Sequence, residues 1–292
     1  MIWKNSTICL VISVATICVA CHHNPVNPEL NSSQSGINKN VIIAMTTSIE
    51  DSGLLDDLVP AIQKKTGYKL KSVSVGTGQA LALAEKGQVD VLFVNSPPAE
   101  RKVLADGAII NRRLVMHNDF VIVGPSSDVA KIRGKKDALE ALRLIAKKQC
   151  LFISRGDDSG TNKLEMSLWK QANITPQGTW YQQTGAGMGH TLQVASQKKG
   201  YTLTDRATYI FQKKNLSLSV LVEGDRKLLN LYHVIEVNPQ RFSKVNSIGA
   251  KAVSNFLLSP EGQKLIAANG KAKFGQSLFF VDAGKTEKNY GL

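Results

Sequence analysis

The sequence predicts an α/β fold in two lobes. Helix-like and strand-like segments alternate along its 292 residues, with no repeat at solenoid periods. Two apolar strands, "NDFVIVGP" at 118–125 and "LYHVIEVNP" at 231–239, bracket a complete second set of elements. A chain that leaves one lobe by one strand and returns by another makes two crossings and a cleft between the lobes, the usual place for a ligand. The boundaries read as 41–118 with 238–292 for the first lobe and 119–237 for the second. Each lobe is expected to be a mainly parallel sheet flanked by helices, with hinge strands near 118–125 and 231–239.

In the first lobe "VIIAM", from Val41, is a buried strand. Leu54, Leu58 and Ile62 give a helical stripe that ends at "KKTG", with lysines in the last turn and Gly67 as the cap. Pro60 inside that stripe predicts a kink or a later helix start. "KLKSVSV" is the next strand, "GTGQALALAEKG" a glycine turn feeding a helix, "VDVLFVN" a third strand and "PPAERKVLADG" a short helix. This order predicts a parallel sheet with right-handed crossovers. The second lobe reads as a helix at 137–148, the strand "CLFIS", helices at 161–172 and near 189–199, "YTLT", a helix at 205–213 and the strand "LSLSVLV". Two helices follow, at about 246–258 and 260–269, and beyond about 275 no pattern is assigned.

The net charge is +13, from 36 basic and 23 acidic residues. The lysines are scattered or paired, and several pairs sit at helix C-termini, where cations favour the dipole. This is a solvated surface and not a nucleic-acid stripe. An anionic solute remains a fitting partner. The five histidines show no metal-ligand spacing, so neither a metal nor another cofactor is expected.

The N-terminus "MIWKNSTICLVISVATICVAC" carries Lys4 and then an apolar run from Ile8 to Ala20, which suits a signal peptide over 1–20 better than a membrane span. Ala20 before Cys21 resembles the lipobox of bacterial lipoproteins, although Cys18 stands where leucine is usual. Cys21 is therefore the expected lipidation site, and 21–40 a polar, disordered tether. An uncleaved anchor or ordinary cleavage near Ala20 are the alternatives. All three export the chain to the periplasm or cell surface. Cys150 is then left alone, so no disulfide framework is expected.

Three motifs share one grammar of strand, hydroxyl- and glycine-rich turn, and helix. They are Thr46-Thr47-Ser48, Gly76-Thr77-Gly78-Gln79, and Arg155 to Thr161 in "SRGDDSGT". A helix N-terminus offers unpaired N–H groups and partial positive charge to an anion. Glycine permits close backbone approach. Each motif alone is also an ordinary helix start. Together, two in one lobe and one in the other, they point to an anion site. Asp158 or Ser159 is expected to cap the following helix. The turn "TGAGMG" at 184–189 either lines the cleft or is a tight loop. Arg206 beside Asp205 reads as a capping or ion-pair residue. Ser159 is the one candidate nucleophile, but "GDDSG" is not a nucleophile elbow and no histidine is tied to it. No phosphate-loop motif for nucleotide hydrolysis is present.

The stretches "TTSIEDSGLLDDLVPAIQKKTGYKLKSVSVGTGQALALAEKGQVDVLFVNSP", "VMHNDFVIVGP", "FISRGDDSGTNKLEMSLW", "WYQQTGAGMGHTLQVASQKKGYTLTDRATY" and "NLYHVIEVNP" together resemble the tungstate-binding proteins of ABC importers. These are the TupA-like branch of the type II periplasmic binding proteins. The resemblance covers about 41 to 270. It implies a two-lobe type II fold closing on a tetrahedral oxyanion and delivering it, as a monomer, to a permease driven by an ATPase. It also implies the binding positions Thr46, Thr47, Ser48, Thr77, Gly78, Arg155, Ser159, Gly160 and Thr161, and no catalysis. The family usually has another threonine where this chain has Met45. Molybdate, sulfate or phosphate remain alternatives, the last requiring an acceptor such as Asp157 or Asp158. A periplasmic ester hydrolase using Ser159 is the alternative from another class.

Overall fold

A computed structural model describes residues 39–291. The expected signal peptide, Cys21 and nearly all of the expected tether lie outside the described residues. The chain opens with β1 (Asn40–Thr46), α1 (Thr47–Asp51), α2 (Leu54–Thr66), β2 (Lys69–Val75), α3 (Thr77–Glu85), β3 (Val91–Val94) and α4 (Pro97–Ala105). The strand β4 (Ile109–Gly124) then leads into α5 (Ala138–Lys147), β5 (Phe152–Ser154), α6 (Gly160–Gln171), β6 (Tyr181–Gln183), α7 (Met188–Gln197), β7 (Thr202–Asp205), α8 (Arg206–Gln212) and β8 (Ser219–Val222). The chain returns through β9 (Leu229–Val237) and closes with α9 (Ser247–Leu258), α10 (Pro260–Ala268), α11 (Lys271–Phe274) and β10 (Phe280–Val281).

The first sheet runs β10-β4-β9-β3-β1-β2. Its β1–β2 and β1–β3 pairs are parallel, while β3–β9, β4–β9 and β4–β10 are antiparallel. The second lobe pairs the far end of β4 with β7 and β8, both antiparallel, and only β5–β6 and the Phe152–Tyr201 bridge are parallel. The sheets are thus mixed where a mainly parallel arrangement was expected. The cause is that β9 returns antiparallel to both β3 and β4 in the first sheet, while β4 alone runs on and pairs antiparallel with β7 and β8 in the second. The expected boundary at 237/238 falls at the end of β9, yet β9 pairs only with β3 and with Ile109–Asp119 of β4, all in the first sheet.

Period-two alternation decides which core each residue joins. On β1, Ile43 and Met45 pack with α2, α9 and α10, while Ala44 faces α3 and α4. On β4, Phe120 and Ile122 pack against α5 and α6, and Val121 and Val123 against α7. Met45 is 1% exposed and belongs to the core, so a hydroxyl at that position would need a buried partner. α2 runs unbroken through Pro60, which lies on its exposed side, where the lost N–H bond is replaced by nothing that needs desolvating. The segment beyond 275 is built into the first lobe. β10 pairs with β4, Asp282 accepts from His117 at 2.6 Å and from Tyr290 at 2.5 Å, and Glu287 pairs with Arg101 and Arg112.

Candidate functional site

The three sequence motifs converge where the lobes meet. Thr46 is the N-cap of the one-turn helix α1, which carries Thr47 and Ser48. Gly76 is the N-cap of α3, so Thr77 and Gly78 form its first turn. Ser159 caps α6, its hydroxyl accepting the Asn162 N–H at 3.2 Å, and Gly160 and Thr161 form the first turn. The first-turn N–H groups of α3 and α6 have no partner within their helices, so both helices turn positive ends toward this junction.

Arg155 is the centre of the arrangement. It is 1% exposed and reaches across the cleft, its Nη2 donating to Thr47 Oγ1 at 3.2 Å and to Asp157 Oδ2 at 2.6 Å. Its Nε and Nη1 are buried and have no hydrogen-bond partner among the described residues. A buried guanidinium with two nitrogens unserved is costly unless an acceptor serves them. Asp157 also accepts the Ser159 N–H at 3.3 Å, and Asp158 is exposed and pairs with Lys163. Both aspartates are committed, Asp157 within its own loop and Asp158 to Lys163 of α6. Asp158 has a φ of 58°, a left-handed conformation that turns the loop back onto the first lobe.

The lobes are closed on each other. The Gly78 N–H donates to the Asp158 carbonyl at 3.2 Å, so this amide holds the lobes together. A Cβ at Gly78 would lie 2.8 Å from that carbonyl oxygen, and one at Gly160 would lie 2.4 Å from Asn95 Oδ1. The glycines are there because the opposing backbone comes this close. The "TGAGMG" turn reaches the junction as well. It opens α7, whose Gly189 N–H is bonded by Asp51 Oδ2 at 3.2 Å, a carboxylate from the first lobe set on a helix start of the second.

Beneath the junction runs a polar chain that the sequence motifs do not announce. Thr77 Oγ1 donates to Asn95 Oδ1 at 2.9 Å, Asn95 to Asn230 at 3.0 Å, and Asn230 to Asn118 at 2.7 Å and Tyr232 at 2.8 Å. Tyr232 OH lies 3.2 Å from Ser48 Oγ. All these side chains are buried, and burial first, then the nearby charge of Asp205, pushes the Tyr232 hydroxyl up from its ordinary value. The one signal in the sequence is an asparagine in each crossing strand, "MHNDF" and "LNLYH", where an apolar residue would otherwise stand. Asp51 leaves no such signal, because an aspartate in a turn is ordinary. A cavity of about 260 Å³ opens beside this chain, lined in part by Asn95, Gly160, Lys163 and Asn230. A larger one of about 810 Å³ lies elsewhere, around Arg112, His233 and Glu287.

The loop that carries Arg155 is braced from behind. Glu165 accepts from Ser154 at 2.7 Å, Trp169 at 3.0 Å and Tyr181 at 2.8 Å, and Ser154 accepts from Asn162 at 3.3 Å. Burial raises the Glu165 carboxyl to about 7 against the opposing pull of its three donors. Arg206 forms ion pairs with Asp119 at 2.6 Å and Glu223 at 2.7 Å, and Asp205 caps α8 through the Thr208 N–H at 2.9 Å. Arg206 therefore ties the start of α8 to β4.

Two α/β lobes that share crossing strands and meet at helix starts have the architecture of a solute-binding protein. A family model described as a PBP superfamily domain matches residues 31–261. The tungstate-binding protein TupA of Peptoclostridium acidaminophilum is 44% identical over 261 residues, 89% of this chain and 91% of that one. A crystal structure of the tungstate ABC transporter from Geobacter sulfurreducens superimposes with a TM-score of 0.71 and 46% identity, over 78% of this chain and 97% of that one. The tungstate-binding protein TupA from Desulfovibrio alaskensis gives a TM-score of 0.69 and 43% identity, over 84% and 99%. The chain belongs to the TupA family of the PBP superfamily.

Proposed function

We propose that this chain is exported, captures tungstate between its lobes and delivers it to an ABC importer. The observation that carries the reading is Arg155, buried with Nε and Nη1 unserved at the meeting point of two helix starts. In this reading Thr46, Thr47, Ser48, Thr77, Gly78, Ser159, Gly160 and Thr161 are the neutral groups of the site, and among them Thr47 Oγ1 already accepts from Arg155 at 3.2 Å. The names of the relatives support tungstate as the solute.

Asp157 and Asp158 are spent on Arg155, Ser159 and Lys163, which disfavours a ligand that carries its own proton, as phosphate does at neutral pH. Ser159 acts as a helix cap, a bland role that weighs against hydrolysis. No described helix is long and apolar enough to cross a membrane, and in this reading Cys21, outside the described residues, carries the membrane attachment. Calorimetric titration of the purified chain with tungstate, molybdate, sulfate and phosphate tests the proposal. Tungstate should bind, sulfate and phosphate should not, and a chain that binds phosphate and ignores tungstate would overturn it.

A further inference from the structure

The guanidinium of Arg155, the one buried guanidinium among the described residues, is paired with Asp157, and its field reaches two further carboxylates at the lobe junction. Asp157 pairs with Arg155 directly. Asp51 comes from α1 and sits on the Gly189 N–H. Asp205 ends β7, opposite Phe120, at the point where β4 passes from the first sheet to the second. It is fully buried. Its Oδ1 accepts the Thr208 N–H, its Oδ2 has no well-aligned partner among the described residues, and the nearby Thr208 hydroxyl lowers the carboxyl as the N–H does. Burial is the first influence on both further aspartates, and it raises each of them. Asp51 raises the carboxyl of Asp205, and Arg155 lowers both.

The count of charge is the difficulty. One guanidinium with three ionised carboxylates gives a net charge of −2 in a water-poor junction, and a bound dianion would make it −4. Like charges in low dielectric do not all stay ionised, and the most buried, least paired group takes a proton first. Asp205 is that group. The other charged neighbour, Arg206, is committed to Asp119 and Glu223. Tyr232, from β9, is neutral.

Building on the tungstate reading, we infer that closure around the oxyanion is coupled to uptake of a proton from solvent onto Oδ2 of Asp205. Asp205 is a positioning residue here, acting on the anion through the field at Arg155. Burial already raises its carboxyl to about 6. That value belongs to the closed, ligand-free arrangement, and a bound dianion raises it further, so on this inference the group passes from ionised to protonated as the site closes on the anion at pH 7. The sign follows. Binding is strongest below pH 6 and weakens as the pH rises above it, about tenfold per pH unit until the bound form also ionises.

The test is titration of the chain with sodium tungstate at pH 7 in two buffers of different ionisation enthalpy. Wild type should take up on the order of one proton per tungstate. Asp205→Asn keeps an oxygen for the Thr208 N–H, and it should bind tungstate with little proton uptake and a flat pH profile from 7 to 9. Infrared difference spectra should show a protonated-carboxyl band on binding that this variant lacks. Tungstate binding by wild type with equal heats in both buffers would overturn the inference and leave the function intact. Proton uptake that persists in Asp205→Asn and vanishes in Asp51→Asn would overturn the assignment to Asp205. Absence of tungstate binding by wild type would instead overturn the reading on which the inference rests.

Discussion

Replacing Arg155 by alanine removes the charge around which the site is arranged. The side chain is 1% exposed, so its field is little screened by solvent. Nε and Nη1 are the two nitrogens without protein partners among the described residues. A charge-assisted hydrogen bond contributes roughly 1.5–3 kcal/mol, so two of them contribute about 3–6 kcal/mol. Tungstate affinity should therefore fall by about two to four powers of ten. The same change strips Asp157 Oδ2 of its 2.6 Å partner, so some folding stability is lost as well. Arg155→Lys separates the two effects. It keeps a cation near Asp157 but lacks the planar fork, and it should recover stability more fully than affinity. Calorimetric titration gives the affinities, and thermal melts without ligand give the stabilities. A folded Arg155→Ala protein that binds tungstate like the wild type would refute the reasoning and return "SRGDDSGT" to being a well-capped helix start.

Gly160→Ala places a Cβ 2.8 Å from the Asn95 carbonyl oxygen, which belongs to backbone and cannot swing away. Closure should cost about 1–3 kcal/mol more, weakening tungstate about 5- to 150-fold while the melting point without ligand stays near wild type; titration and melts check both. Glu165 has its folded carboxyl raised from 4.5 to about 7, so the stability tied to this group is complete below pH 4.5 and is lost as the pH rises through 7. On the order of 3 kcal/mol is at stake, and Glu165→Gln should flatten the decline between pH 5 and 8 in urea unfolding; equal slopes for both proteins would count against it. For the N-terminus, a fatty-acid analogue should label the wild type in cells and not Cys21→Ala, and equal labelling would remove the lipid anchor.

Elements held together by sequence neighbours are legible in the sequence alone. The strand–turn–helix grammar places Thr77 and Gly78 at the start of α3, and Ser159 to Thr161 at the start of α6, where the structure has them. "TTS" reads as a turn, and instead Thr46 ends β1 while Thr47 and Ser48 begin the one-turn helix α1. What the sequence hides depends on distant partners. The Asp51–Gly189 bond spans 138 positions and the Asn95–Asn230 bond 135, and no local pattern encodes either. Strand direction is hidden for a similar reason. The apolar run of β9 fits a parallel or an antiparallel strand equally, and only its pairing with β4 decides. The C-terminal segment has weak periodicity of its own, and an ion pair to Arg112 and a hydrogen bond to His117 hold it in place.

The strand β4 lends residues 109–119 to one sheet and 120–124 to the other, without a break in the chain between them. Melting either sheet therefore frays the strand that the other relies on. The two lobes should therefore unfold as a single body. Heating should give one calorimetric peak, with equal van't Hoff and calorimetric enthalpies, where independently stable lobes would give two. A stabilising change made far out in one lobe would then protect the whole molecule.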